Sequence, residues 1–143
     1  MLTYHLVKTE SDIACTAALA HEIWHEYWPD LIGEKQTTYM VENFQSAKAI
    51  ANDIAEHEYL YYLVSDETNT LVGYTAAVPE RFTSPDDELA STHGTKVSEH
   101  FLNRLFISKI YLKADQRGKH YASRIIEFWE EYCRSHDLEG MYL

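Results

Sequence analysis

Apolar and polar positions along the chain follow two rhythms, and the switches between them mark out the elements. Tyr4 to Val7 predicts a short first strand. From Ser11 to Tyr27, apolar Ile13, Ala17, Ala20, Ile23, Trp24 and Tyr27 recur at three- and four-residue intervals, which predicts an amphipathic helix ended by Pro29. A second helix is expected over Glu34 to Phe44, and Ser46 has the chemistry to cap a third that reaches about Glu56. The aromatic and β-branched run Tyr59 to Val64 predicts a strand, Asp66 to Thr70 a turn, and Leu71 to Val78 the returning arm of a hairpin. Pro79 to Gly94 is polar, holds two prolines and reads as a loop. Leu102 to Leu112 predicts another strand and Lys113 to Gly118 a short turn. A helix then runs from Lys119 to His136, with Ala122, Ile125, Ile126, Trp129 and Cys133 on one side, and Met141 opens a last strand.

This order predicts an α+β fold with a mixed sheet flanked by helices, closing on a parallel strand-helix-strand unit. The 143 residues show no repeat and no linker, so one domain over 1–143 is expected. The net charge of −11 argues against a nucleic-acid partner and suits a cationic acceptor. No stretch has the length of a membrane span, and the first residues lack the layout of a signal peptide, so a cytoplasmic protein without membrane contact is expected. Cys15 and Cys133 are too few and too far apart for a disulfide framework and read as buried, reduced thiols.

The chemistry concentrates in Lys109 to Ala122. A buried strand feeds a tight basic turn, and a helix begins at once. That layout aims unpaired backbone N–H groups and the positive end of the helix dipole at one point, a natural site for a pyrophosphate. Gly118 allows close approach of the backbone, and Arg117 and Lys119 add positive charge in an acidic chain. Ala122 is small, as close packing of helix on strand would require.

The segment Arg117-Gly118-Lys119-His120-Tyr121-Ala122 resembles the acetyl-CoA signature of the GNAT superfamily, in which Arg or Gln, two variable residues, Gly, one variable residue, and Gly or Ala follow a strand. It departs from that signature at the central glycine, here His120. Lys109-Ile110-Tyr111-Leu112 resembles the family's fourth strand, which pairs with the pantetheine arm, and Glu22 to Ile50 resembles bacterial spermidine and spermine acetyltransferases. The resemblance implies a GNAT-like fold and an acetyl-CoA-dependent N-acetyltransferase that acetylates a primary amine of a small, polyamine-like molecule. It implies that acetyl-CoA is held by Ile110, Tyr111, Leu112, Arg117, Gly118, Lys119, His120, Tyr121 and Ala122. The strand backbone near Tyr111 and Leu112 would donate to the oxyanion. Tyr27, Trp28 and Tyr39 would line the acceptor cleft, with core packing as the competing account.

No spacing selects a general base among Glu80, His93, Glu99 and His100, so the catalytic residues stay unassigned. His21-Glu22-Ile23-Trp24-His25 spells the H-E-x-x-H helix of zinc proteases, but Trp28 and Leu31 stand where the longer motif needs Gly and His. An exposed histidine pair is the better account, and no metal is expected. The resemblance also implies a helix and two strands beyond the strand at Met141, including a Tyr that protonates the leaving thiolate. The expectation is therefore a fold cut short as its fifth strand begins, completed in a longer chain or by a partner such as a second copy, or else truly lacking those elements with activity weak or lost. A catalytically silent acyl-CoA-binding or sensor module is the alternative, motivated by His120 and by that missing Tyr.

Overall fold

The computed structural model describes residues 2–80 and 103–143. Strand β1 (Thr3–Leu6) leads into helix α1 (Glu10–Tyr27), one helical turn α2 (Pro29–Ile32), α3 (Glu34–Phe44) and α4 (Ala47–His57). The hairpin β2 (Leu60–Ser65) and β3 (Leu71–Glu80) follows. Then come β4 (Arg104–Leu112), a 3₁₀ turn (Ala114–Gln116), α5 (Tyr121–Ser135) and β5 (Gly140–Tyr142). The five strands form one sheet in the order β1-β2-β3-β4-β5. The pairs are antiparallel except β4 with β5, which run parallel across α5 as the sequence order predicts. The architecture is the expected mixed-sheet α+β fold.

Local chemistry sets the boundaries. Thr9 caps α1 in a reciprocal box: its hydroxyl accepts from the Asp12 amide at 3.0 Å, and the Asp12 carboxylate accepts from the Thr9 amide at 3.1 Å. Ser46 caps α4 by accepting from the Ala49 amide at 3.2 Å, as expected. Pro29 does close α1, but it also opens α2, because a proline at the first helical position gives up only an amide that has no intrahelical partner. Pro79 and Glu80 belong to β3 rather than to a loop: they pair with Leu105 and Arg104. Leu102 and residues 81–101 of the expected loop and strand, including His93, Glu99 and His100, lie outside the described residues.

The sheet separates two apolar layers. On one face Val64, Val72, Ala77, Leu105 and Ile107 pack against Ile125, Trp129 and Cys133 of α5. On the other, Tyr61, Leu63, Tyr74 and Ala76 pack against Leu19, Ala20 and Ile23 of α1 and Ile50 of α4. The register of β4 slips by one residue: Lys109 faces Ala76 while Ile107 faces Ala77, leaving Ser108 as a bulge. The extra residue inverts the alternation of the strand. Leu105 and Ile107 before the bulge, and Ile110 and Leu112 after it, therefore face α5, while Tyr111 joins the α1 layer. A buried relay supports the bulge, with Trp129 Nε1 donating to Thr75 Oγ1 (2.9 Å) and Thr75 Oγ1 donating to the Lys109 carbonyl (2.6 Å). Cys133 is buried, Cys15 is half-buried, and both are free thiols.

Candidate functional site

The β4–α5 corner is built from both sides. β5 pairs only with Arg104 to Phe106, so from Ile107 to Leu112 the outer edge of β4 has no strand neighbour among the described residues. On the inner edge, Lys113 N–H donates to the Val72 carbonyl at 2.9 Å. With Tyr111 opposite Tyr74, alternation turns the Tyr111 amide toward β3 and the backbone groups of Ile110 and Leu112 outward. Of the two strand donors named from the sequence, Leu112 is thus the one turned to the open edge. The outward Leu112 carbonyl accepts from Arg117 Nη2 at 3.1 Å. Gly73 makes the approach of β3 to this stretch possible, since a Cβ there would collide with the Tyr111 carbonyl.

After β4 the chain is held down by α1. Glu26 Oε1 accepts the Ala114 amide at 3.0 Å, and Glu22 lies 3.6 Å from Lys113 Nζ. Gly118 then takes φ +80° and His120 takes φ +64°, ψ 22°, so two residues of the loop are left-handed. The second gives a physical reason for the signature's glycine, because a left-handed residue at the helix entrance is least strained without a Cβ. Histidine tolerates this region better than most side chains, and its exposed ring makes no capping bond to α5. The helix begins at Tyr121, two residues later than expected, because His120 turns the chain at its N-cap. The first intrahelical amide is that of Arg124, which reaches the His120 carbonyl at 3.3 Å. The amides of Tyr121, Ala122 and Ser123 meet no acceptor among the described residues. They and the helix dipole point into a cleft of about 440 Å³.

The structure gathers eight of the nine expected cofactor residues around that cleft: Ile110, Tyr111, Leu112, Arg117, Gly118, His120, Tyr121 and Ala122. The ninth, Lys119, turns aside and donates to Gln116 Oε1 at 3.1 Å. Ala122 is exposed at the cleft, so its smallness serves the opening rather than helix-strand packing. A diphosphate fits this donor set, which combines three free amides, a guanidinium and an open strand edge.

The aromatic residues at the end of α1 split. Tyr27, 47% exposed, lies under the Arg117 guanidinium at 5.5 Å, and Trp28 sits edge-on to it at 5.1 Å. Trp28 stacks on buried Trp24, which in turn contacts Tyr111 at 5.6 Å, so these rings join α1 to β4 beside the cleft. Tyr39, 55% exposed on α3, shares no ring contact with them among the described residues. The His21 and His25 rings stack at 4.2 Å, and His25 Nδ1 bonds the His21 carbonyl at 2.8 Å. Glu80 accepts the Tyr142 hydroxyl at 2.7 Å and lies 3.8 Å from Arg104.

One cluster was not anticipated. Lys109, only 9% exposed, sends Nζ to the Phe44 carbonyl (3.0 Å), Gln45 Oε1 (3.2 Å) and the Tyr61 hydroxyl (2.9 Å). Tyr61 donates onward to Asp53 Oδ2 at 2.7 Å, and Tyr74 donates to Gln45 at 2.8 Å. Burial lowers the Lys109 pKa to about 8, with Asp53 opposing the shift, and burial raises those of Tyr61 and Tyr74 well above the usual phenol value. The signal in the sequence was a lysine inside the apolar run Leu105 to Leu112.

Comparison with known proteins accords with this architecture. The model of the GNAT acetyltransferase family matches residues 20–143, and the chain belongs to that family. Among solved structures, an N-acetyltransferase, PaiA, from Thermoplasma acidophilum in complex with coenzyme A superposes with a TM-score of 0.67 at 13% identity, covering 100% of this chain and 79% of that one. A predicted acetyltransferase from Clostridium acetobutylicum with acetyl-CoA gives 0.59 at 13% identity over 100% and 80%. An aminoglycoside acetyltransferase from an uncultured soil metagenomic sample gives 0.64 at 11% identity over 99% and 78%. No curated protein matches by sequence. Family membership makes the chain an acetyl-CoA-dependent N-acetyltransferase. No helix among the described residues is long and apolar enough to cross a membrane.

Proposed function

We propose that the chain transfers the acetyl group of acetyl-CoA to the primary amine of a small molecule, the acidic net charge suiting a cationic acceptor. One observation carries the reading: the amides of Tyr121, Ala122 and Ser123, without acceptors among the described residues, open onto the same cleft as the outward edge of Ile110 and Leu112. Acetyl-CoA supplies a thioester, whose carbonyl the amine attacks while coenzyme A departs as a thiolate. The protein's part is to hold the diphosphate on the α5 amides and Arg117, and to pair the pantetheine amides with the free edge of β4. The outward Leu112 amide is the candidate donor to the developing oxyanion.

Within this reading the chain acts as one domain in the cytoplasm, without nucleic-acid or membrane partners, and pairs with a second copy. The test is thiol release from acetyl-CoA with a panel of amines. Turnover with any of them supports the reading. Coenzyme A binding without turnover across the panel favours the acyl-CoA-binding module instead.

A further inference from the structure

A second cavity of about 390 Å³ opens on the α1–α4 face of the sheet, where Ser108 and Lys109 of β4 form part of its wall. Opposite them stand Asn43 and Gln45 from the end of α3 and Asn52 and Asp53 from α4. The cavity therefore adjoins the coenzyme cleft along a single strand, with Ser108 and Lys109 lining one and Ile110 to Leu112 the other. At about 3.3 Å per residue, Lys109 and Leu112 are only ~10 Å apart along β4. The bulge at Ser108 lies in the wall of this cavity, two residues before the cleft begins.

We propose that this cavity holds the acceptor, and that the acceptor is a hydroxylated molecule with a single amine, of the amino-sugar or amino-alcohol class. The inference rests on the acetyl-transfer reading above. Apart from Asp53 and Lys109 its lining is uncharged and rich in hydrogen-bonding groups, with three carboxamides and the Ser108 hydroxyl, which suits a ligand carrying several hydroxyls. Asp53 is the one carboxylate lining it among the described residues. One oxygen takes the Tyr61 hydroxyl, and the other has no hydrogen bond among the described residues, so it can meet one ammonium. Lys109 spends its three donors on Phe44, Gln45 and Tyr61, so it positions the α3–α4 corner against β4 rather than binding the ligand. Its charge still disfavours further cations. The adjoining groove carries Lys48 together with Glu42 and Glu56, so among the described residues no purely acidic track receives the other charges of a linear polyamine.

The experiment compares glucosamine with spermidine by thiol release at saturating acetyl-CoA, in the unaltered protein and in Asn52→Arg and Asp53→Asn. Asn52 is exposed at the cavity wall, so the arginine blocks the site without disturbing the core. Glucosamine is expected to exceed spermidine in kcat/KM by roughly tenfold, and each variant to raise the KM for glucosamine by roughly tenfold or more while leaving that for acetyl-CoA unchanged. A tenfold preference for spermidine overturns the inference, as does an unchanged glucosamine KM in Asn52→Arg. No turnover of either amine by a protein that gives heat with coenzyme A overturns the pocket alone; no heat with coenzyme A overturns the acetyl-transfer reading as well.

Discussion

His120→Gly probes the loop where the chain departs from the family signature. His120 sits at φ +64°, ψ 22°, exposed and without a capping bond, so its ring contributes nothing visible that offsets the left-handed backbone. A left-handed residue with a Cβ costs about 1–2 kcal/mol, less for His than for most side chains, while glycine gives back up to ~1 kcal/mol through its freer unfolded chain. The balance is a gain of up to about 1 kcal/mol, or up to roughly 4 °C in Tm for a chain of this size. Gly118→Ala, at φ +80° with open space around its Cα, is the matched control and should lose about 1 kcal/mol or more through backbone strain alone. Urea denaturation of the three proteins measures both changes. Coenzyme A affinity should hold or improve in His120→Gly, because the amides of the α5 first turn remain. If His120→Gly destabilises the protein by more than ~0.5 kcal/mol, the imidazole makes a contact that stabilises the loop, and the strain argument fails.

Two further predictions concern the middle of the sheet. Thr75→Val keeps the shape of the side chain but removes the hydroxyl joining Trp129 Nε1 to the Lys109 carbonyl, leaving the buried indole N–H unmatched. A loss of about 1–3 kcal/mol is expected by denaturation; a loss under ~0.5 kcal/mol would mean that the relay does not support the bulge. Alkaline pH acts through Lys109 and the tyrosines in opposite directions. The folded Lys109 pKa of about 8 lies below its unfolded value, so the unfolded chain binds more protons and stability rises from about pH 8 toward 10, by at most ~3 kcal/mol. Tyr61 and Tyr74 have raised pKa values, so above pH 10 the unfolded chain ionises first and stability falls. Thermal melts should pass through a maximum near pH 9–10, and Lys109→Met should remove the rising limb. A monotonic fall from pH 7 in the unaltered protein would contradict this balance.

The fold was legible wherever periodicity and local chemistry agreed. Ser46, the turn Asp66 to Thr70 and the apolar stripe Ile125-Trp129-Cys133 each set an element that the structure shows. The β4–α5 corner was legible for the same reason: strand, basic turn and helix are contiguous in sequence, so the residues meeting at the cleft are neighbours along the chain. The bulge was not, because a one-residue register slip leaves composition unchanged and shows only in the pairing of β4 with β3. Nor was the left-handed turn at His120, since a histidine gives no signal comparable to glycine. The Lys109 cluster assembles Gln45, Asp53 and Tyr61 from three separate elements, and no local pattern announces such a meeting. A basic residue in a phosphate-like loop invites assignment to the anion, but sequence does not show where its side chain turns, and that of Lys119 reaches Gln116.

The most direct test of the central claim is an NMR titration of the ¹⁵N-labelled chain with coenzyme A, following the backbone amides. The account predicts large downfield shifts at Tyr121, Ala122 and Ser123 and smaller ones at Ile110 and Leu112, all saturating together with one binding constant. Saturable shifts confined to other parts of the chain, with those five amides unmoved, would place the coenzyme elsewhere and contradict it.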